Sequence, residues 1–136
     1  MRTAHSIIHD HYAASTKGDL DGMLTDLAPH VQWTEMAGFP CAGTYVGAQA
    51  VVEGVFKVLG RDWSNYSFAL ERLVADVPAS QSASGEVIGI GTYHGTHRAT
   101  QKTMQARVAH VWQVKSGQIV AFEQFTDTHL VQNAMR

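Results

Sequence analysis

Apolar and polar side chains alternate in TMQARVAHVWQVK, residues 103–115. A period of two is typical of a β-strand with one buried face. Five residues share that face: Ala106, Val108, His110, Trp112 and Val114. The pattern therefore predicts a buried face that includes a histidine, and a buried histidine needs hydrogen-bond partners.

Three more stretches with this alternation lie on either side, at residues 64–77, 84–98 and 118–130. The connections between the four stretches are short, and the last, SG at 116–117, is typical of a tight hairpin turn. Successive strands with short connections predict an antiparallel meander.

A turn at residues 99–102 would set the pairing between the second and third strands. It pairs Tyr93 with Val108 and Gly91 with His110. Three glycines then share the face of His110: Gly89, Gly91 and Gly95. Glycines weaken a strand but leave space above a neighbouring polar side chain.

The predicted inner face of the sheet mixes aromatic and polar side chains. It comprises Tyr93, Val108, His110, Trp112, Phe122 and Gln124, with Val120 and Thr126 also on the inner face of the last strand. Aromatic walls with a few polar groups and gaps are typical of a ligand pocket rather than of a solid core.

The opposite face of the sheet is also too apolar to face water. It comprises Ile88, Ile90, Val111, Ala121 and Phe125. An extended apolar face indicates a partner surface, and we expect a homodimer formed through the sheet.

The N-terminal half has helical rather than strand periodicity. Residues 2–17 form an amphipathic pattern that ends at Gly18, and a second helix begins at Asp19 and ends before Pro29. A third helix, residues 48–60, contributes Phe56 to its apolar stripe, after a glycine-rich loop over residues 36–47. The chain is thus predicted to be one α+β domain, residues 1–136, with three N-terminal helices packed on a mostly antiparallel sheet.

The segment VQWTE, residues 31–35, places a glutamate on a buried strand face. Trp33 and Glu35 lie on the same side of this strand, and a buried carboxylate without a partner is costly. Burial would raise its pKa into the range useful to a general base. The alternative is a carboxylate at the strand end that meets solvent.

Composition excludes several classes of function. The net charge is −2 and no basic run is present, so we expect no nucleic-acid partner. The single cysteine, Cys41, cannot form an internal disulfide and is expected to be inert. We expect a cytoplasmic protein without a membrane association, because no apolar run approaches membrane length.

Eight histidines require that metal binding be considered. His5 and His9 would share a helix face, whereas His94 and His97 would point to opposite sides of a strand. No third ligand stands at zinc-site spacing, so we expect no metal.

Four segments together resemble a known family: YAASTKGDLDGMLTDLAPHVQWTE, YHGTHRAT, ARVAHVWQVKSGQI and FEQFTDT. They are similar to the SnoaL-like branch of the cone-shaped, cystatin-like fold shared by ketosteroid isomerases, polyketide cyclases and nuclear transport factor 2. The resemblance runs from about residue 7 to residue 128. It implies a strongly curved sheet around a small-molecule pocket, no cofactor, and either an enzyme or a binding module.

The resemblance also implies roles for two residues. Glu35 matches the position of the general-base aspartate of ketosteroid isomerases, and His110 matches their protonated aspartate, which donates to the enolate oxygen. His110 could instead be a core histidine or a proton shuttle to Glu35.

The sequence departs from the family at two other positions. The isomerase's oxyanion tyrosine corresponds to His11, with Tyr12 next to it, and one of the two is expected to face the cavity. The late-strand aspartate of polyketide cyclases corresponds to Gln124, and Asp127 is a further catalytic candidate.

The expected function is a cofactor-independent isomerase or cyclase that enolises an apolar carbonyl compound. Glu35 and His110 are the expected catalytic pair, and the pocket is expected to be lined by His11, Tyr12, Trp33, Phe56, Tyr93, Val108, Trp112, Phe122 and Gln124. The alternative is a ligand-binding or dimeric structural module without chemistry.

Overall fold

The computed structural model describes residues 2–136, which form a six-stranded sheet with helices packed against it. The strands are β1 (Leu27–Glu35), β2 (Gly43–Val46), β3 (Trp63–Ala75), β4 (Gly85–His97), β5 (Thr103–Lys115) and β6 (Gln118–Thr126). The helices are α1 (Ala4–Lys17), α2 (Leu20–Leu24), α3 (Ala48–Val51), α4 (Lys57–Asp62), α5 (Val77–Gln81) and α6 (Thr128–Ala134), and a π-helical turn (Val52–Phe56) joins α3 to α4. The predicted α+β class is confirmed.

The strands are arranged in the order β2-β1-β6-β5-β4-β3. Only the β1–β6 pair is parallel within the described residues, so the sheet is mostly antiparallel, as predicted. Helix α1 begins after Thr3, whose side chain accepts from the Ser6 amide, and it ends at Gly18, whose φ is 69°. Within residues 2–136 no helix combines the length and apolarity needed to cross a membrane.

The predicted register between β4 and β5 is wrong by two residues. Tyr93 pairs with Ala106 rather than Val108, and Gly89 rather than Gly91 pairs with His110. The loop between these strands closes early, because the His97 amide donates to the carbonyl of Lys102 at 2.9 Å. A shift of two residues leaves every side chain on its predicted face, so the composition of the inner face is unchanged.

The predicted alternation at the start of β6 is wrong because the β5–β6 pair contains a β-bulge. The register shifts between Gln113 and Val114 of β5, so Val114 pairs with Ile119. Ile119 is therefore fully buried and Val120 is only half-buried, although the alternation placed Val120 inside. Beyond the bulge, Phe122 is buried as predicted.

Three short elements were not predicted. The loop at residues 36–47 contains strand β2, α5 occupies part of the predicted hairpin loop, and α6 replaces the predicted end of the last strand. Pro29 lies inside β1, because α2 ends five residues earlier, at Leu24. Elements this short contain too few residues to be predicted from their periodicity, and tertiary contacts stabilise them.

The third helix differs from the prediction in containing the π-helical turn. Its residues Val55 and Phe56 both reach the interior of the protein. Gly54 lies against the Tyr45 ring, where a Cβ would approach within 2.2 Å. A π-turn changes the angular spacing of side chains, which allows adjacent residues to face one cavity.

The space that Gly89 and Gly91 of β4 leave on the inner face is filled by neighbouring elements, whereas it was predicted to be open to a ligand. A Cβ at Gly89 would lie 2.1 Å from the Tyr12 hydroxyl oxygen, and one at Gly91 would lie 2.2 Å from the backbone oxygen of Ala69. Helix α1 and strand β3 can therefore approach β4 only because these side chains are missing.

Replacement of Gly91 by alanine tests this close approach. We expect Gly91→Ala to lower the free energy of unfolding by about 1–3 kcal/mol, because the backbone of β3 must move away. Gly95→Ala is the control, because its nearest contact is the Trp63 ring at 3.3 Å. Urea denaturation measures the free energy of unfolding of both variants. Equal values for Gly91→Ala and Gly95→Ala would contradict the close approach of β3 to Gly91.

Candidate active site

A cavity of about 320 Å³ lies between the inner face of the sheet and helices α1, α2 and α4. Its lining includes side chains from helices and from every strand except β2: His11, Tyr12, Ser15, Gly18, Leu20, Met23, Trp33, Glu35, Val55, Phe56, Leu59, Gly60, Tyr66, Phe68, Tyr93, His110, Trp112 and Phe122. Its volume falls in the usual range for sites that bind small molecules.

The walls of the cavity are mainly aromatic. Trp33 stacks on Phe122 with ring centroids 3.9 Å apart, and Tyr12 stacks on Phe68 at 5.2 Å. In the part of the chain that the structure describes, no lysine or arginine lines the cavity. Such a site suits a flat, uncharged, largely apolar ligand.

Glu35 is the one carboxylate in this lining, and it is 4% exposed. The Trp33 indole nitrogen donates to its Oε1 at a distance of 3.4 Å, whereas Oε2 has no hydrogen-bond partner within residues 2–136. Burial raises the pKa of Glu35 to about 7, and the hydrogen bond from Trp33 opposes this shift. At neutral pH the group is thus poised between acid and base.

His110 lies opposite the glycines of β4, between two tyrosines. Its Nδ1 is 2.7 Å from the Tyr12 hydroxyl, and its Nε2 is 2.7 Å from the Tyr93 hydroxyl. Burial, followed by the nearby His11, lowers the pKa of His110 to about 3, so the ring is neutral at pH 7. Both ring nitrogens are already hydrogen-bonded within the protein.

Further side chains hold the two tyrosines. The Trp112 indole donates to the Tyr12 hydroxyl at 2.9 Å, and the Gln124 amide donates to the Tyr93 hydroxyl at 2.7 Å. The oxygen of Gln124 in turn accepts from the backbone amide of Met36 at 3.3 Å. The side chains of Tyr12, His110, Tyr93 and Gln124 therefore form one connected network, which does not include Glu35.

His11 and Tyr12 both line the cavity, although they are adjacent on α1. His11 Nδ1 lies 3.1 Å from the carbonyl oxygen of Met23. A carbonyl only accepts, so Nδ1 donates and Nε2 keeps its lone pair. Burial lowers the pKa of His11 to about 4, which keeps this ring neutral as well.

The structure brings together most of the residues predicted for the site. His11, Tyr12, Trp33, Glu35 and Phe56 line the cavity, as do Tyr93, His110, Trp112 and Phe122. Val108 and Gln124 are buried on the same face but lie outside the lining, and Gln124 acts through Tyr93.

Two other predicted positions lie away from the cavity. Asp127 is exposed and caps α6, where its side chain accepts from the Leu130 amide at 3.2 Å. That role accounts for its carboxylate without catalysis. Cys41 is buried, and burial is the main cause that raises the pKa of its thiol to about 12, as expected for an unreactive cysteine.

Strand β3 contributes two side chains to the cavity that were not predicted. Tyr66 and Phe68 line the cavity, and Tyr66 packs beside Tyr93 with ring centroids 5.4 Å apart. Their alternation with Ser67 is visible in the sequence and could have identified them. Two positions of register shift in β3 limit how far that alternation extends.

Among residues 2–136, no three side chains of histidine, cysteine, aspartate or glutamate are grouped closely enough to hold a metal ion. The histidines of the cavity are instead committed to Met23, Tyr12 and Tyr93.

The environment of Glu35 predicts a specific dependence of stability on pH. Its folded pKa of about 7 lies above the unfolded value of 4.5, so the folded state binds the extra proton. The stabilisation is complete below pH 4.5 and is lost as the pH rises through about 7, by about 3 kcal/mol in total. The free energy of unfolding of the wild type, relative to Glu35→Gln, should fall by this amount.

Urea unfolding of both proteins across this pH range measures the difference. Subtraction removes the contributions of His11 and His110, which the two proteins share. The exposed Glu123→Gln is the matched control and should follow the wild type. A constant difference between the wild type and Glu35→Gln would contradict the raised pKa.

Comparison with known proteins agrees with this fold. An NTF2-like protein from Burkholderia thailandensis is 52% identical over 100% of this chain and 99% of its own, with a TM-score of 0.92. TerC, co-crystallised with polyporic acid, is 20% identical over 97% of both chains, with a TM-score of 0.81. A protein with a ketosteroid isomerase-like fold from Catenulispora acidiphila, in complex with trimethylamine, is 13% identical over 94% of this chain and 90% of its own, with a TM-score of 0.75.

No functionally curated protein matches the chain. The SnoaL-like domain family, in contrast, matches residues 8–122, which include most of α1, the whole of β5 and the start of β6. Because this match covers most of the chain, including Glu35 and His110, the protein belongs to the SnoaL-like domain family.

Proposed function

We propose that this protein is a cofactor-independent enzyme that enolises a small, neutral, largely apolar carbonyl compound. The observation that carries the proposal is Glu35, a buried carboxylate whose Oε2 has no partner within residues 2–136 and which lines an aromatic cavity. An unsatisfied buried acceptor is costly unless it serves a ligand or a reaction.

In the proposed reaction Glu35 takes a proton from the carbon next to the carbonyl. A base with a pKa near the operating pH is best suited to this step, and burial raises the pKa of Glu35 to about 7. The negative charge that develops on the carbonyl oxygen is stabilised by hydrogen-bond donors of the cavity, which His110 organises with Tyr12 and Tyr93. Return of the proton to another carbon gives isomerisation, and attack of the enolate within the substrate gives cyclisation.

The lining also limits the substrate class. Without a lysine or arginine among the described lining residues, the cavity has no group to pair with a phosphate or carboxylate. The ring pair of Trp33 and Phe122 favours a flat compound. A cyclic or aromatic ketone fits both features.

A non-catalytic binder of the same class of ligand is the second candidate. It is favoured by His110, whose two nitrogens are satisfied in the absence of a ligand. In that case the polar network is structural, and the cavity only holds its ligand.

Glu35→Gln distinguishes the two candidates. With β-tetralone as the first of a panel of cyclic ketones, we expect the wild type to accelerate exchange of the α-hydrogen in deuterated buffer. The rate should rise with pH through about 7 as Glu35 ionises. Glu35→Gln should lose at least about 100-fold of the rate, because glutamine cannot accept the proton.

Ligand binding by Glu35→Gln, followed by quenching of Trp33 and Trp112 fluorescence, should be retained. Glu123→Gln, which alters an exposed carboxylate, is the control for rate and binding. Binding of these ketones by the wild type without faster exchange would support the binder and overturn the enzyme.

We also propose that two copies associate through the outer face of the sheet, in a reducing compartment such as the cytoplasm. Phe125 is 45% exposed on that face and pairs with Ala109, and Val111 and Ile88 extend the apolar area beside them. The exposed Glu123 lies on the same face and pairs with Val111, but the apolar side chains around it are better covered by a second copy than by water.

A charge introduced on this surface tests the proposed interface. Phe125→Lys should convert a dimer to a monomer in light scattering coupled to size-exclusion chromatography. Val77→Lys is the control, because Val77 is 67% exposed but lies on α5. A dimer that survives Phe125→Lys, or a monomeric wild type, would contradict the proposed interface.

A further inference from the structure

The hydrogen bonds around His110 can be assigned a direction, because most of their partners have only one role. Indole and amide nitrogens only donate, so Trp112 donates to the Tyr12 oxygen and Gln124 donates to the Tyr93 oxygen. The amide of Gln124 cannot be reversed, because its oxygen accepts from the Met36 amide. Each tyrosine oxygen thus accepts one hydrogen bond before His110 is considered.

His110 itself supplies one donor and one acceptor. Its ring is 5% exposed and neutral at pH 7, so one nitrogen carries a hydrogen and the other a lone pair. The two nitrogens face the hydroxyls of Tyr12 and Tyr93, each at 2.7 Å. One tyrosine must therefore donate to His110, and the other must accept from it.

Two arrangements satisfy these contacts equally. With hydrogen on Nδ1, His110 donates to Tyr12 and accepts from Tyr93, which leaves the hydroxyl hydrogen of Tyr12 without an acceptor in the network. With hydrogen on Nε2, the roles reverse and the hydroxyl hydrogen of Tyr93 is left for the ligand or for the neighbouring Tyr66 side chain, which also lines the cavity. In either tautomer of His110 the network retains one hydroxyl hydrogen to donate, and both tyrosines line the cavity.

We propose that Tyr12, His110 and Tyr93 form a proton relay that presents a single hydroxyl hydrogen to the ligand, from Tyr12 in one tautomer of His110 and from Tyr93 in the other. His110 is then a positioning residue, and the donor to the ligand oxygen is a tyrosine. The proposal deepens the proposed function, on which its catalytic consequence rests.

The relay conserves atoms and charge. When the Tyr93 oxygen receives a proton, its own hydrogen passes to Nε2 of His110, and the hydrogen on Nδ1 passes to the Tyr12 oxygen. Tyr12 then releases its hydroxyl hydrogen to the ligand. One proton enters at Tyr93 and one leaves at Tyr12, and the reverse sequence restores the first tautomer.

The position of Glu35 gives the relay a role in the proposed reaction. After burial, the charge of Glu35 is the next cause that raises the pKa of the Tyr93 hydroxyl, so Glu35 acts on this end of the relay. Tyr12 lies at the other end, on α1. A proton that enters the relay at Tyr93 can thus be delivered to the ligand at the α1 end without crossing the cavity as a free ion.

Nitrogen NMR of histidine-labelled, unliganded protein tests the relay, because protonated and unprotonated ring nitrogens are distinguishable. In Tyr12→Phe, Nδ1 has lost its partner, so the hydrogen should move to Nε2, which still has the Tyr93 oxygen as acceptor. In Tyr93→Phe the hydrogen should lie on Nδ1 for the same reason. The two variants should thus hold opposite tautomers.

Tyr45→Phe is the matched control, because it removes a hydroxyl that donates to the Cys41 carbonyl outside the network. It should keep the wild-type tautomer. The same tautomer in Tyr12→Phe and Tyr93→Phe would overturn the relay. A doubly protonated His110 in the wild type at pH 7 would also overturn it, and this measurement does not depend on the folding of any variant. Because no substrate is used, these outcomes are independent of whether the protein is an enzyme.

Discussion

The hydrogen bond between Tyr12 and His110 joins the first helix to the middle of the sheet, and the geometry of the cavity depends on it. The bond forms only because residue 89 is a glycine, since a Cβ there would lie 2.1 Å from the Tyr12 oxygen. Tyr12 also accepts from Trp112, so one hydroxyl holds together α1 and two residues of β5. The helix is thereby held over the sheet at a defined position, and the cavity opens beside it.

Burial has opposite effects on the acid and the bases of this cavity. It raises the pKa of Glu35 to about 7 and lowers the pKa of His110 to about 3 and of His11 to about 4. Each shift disfavours the charged form, because the low-dielectric interior solvates charge poorly. Near neutral pH both imidazoles are therefore uncharged, and Glu35 is the one group of the three that titrates. This division of roles suits proton abstraction from a neutral compound better than the binding of an ion.

Much of the fold and part of the site could be predicted because they depend on local periodicity. Alternation identified the inner face, including His110, Trp112 and Phe122, even though the register of β4 and β5 was wrong by two residues. An even shift preserves the face, so the error did not alter which side chains meet. The bulge in β6 introduced an odd shift, and there the prediction failed: Ile119 is buried in place of Val120.

The α+β class, the three N-terminal helical patterns, and the presence of Glu35 and His110 on buried strand faces could all be predicted from the amino-acid sequence. These features follow from the spacing of apolar residues, which is a property of the chain alone. Only the tertiary structure decided that Tyr12 and Tyr93, which are 81 positions apart, both bind His110, because such contacts depend on how separate elements pack. The same holds for Gln124 and Asp127. Both are polar residues late in the chain, but Gln124 belongs to the buried network, whereas Asp127 caps a helix.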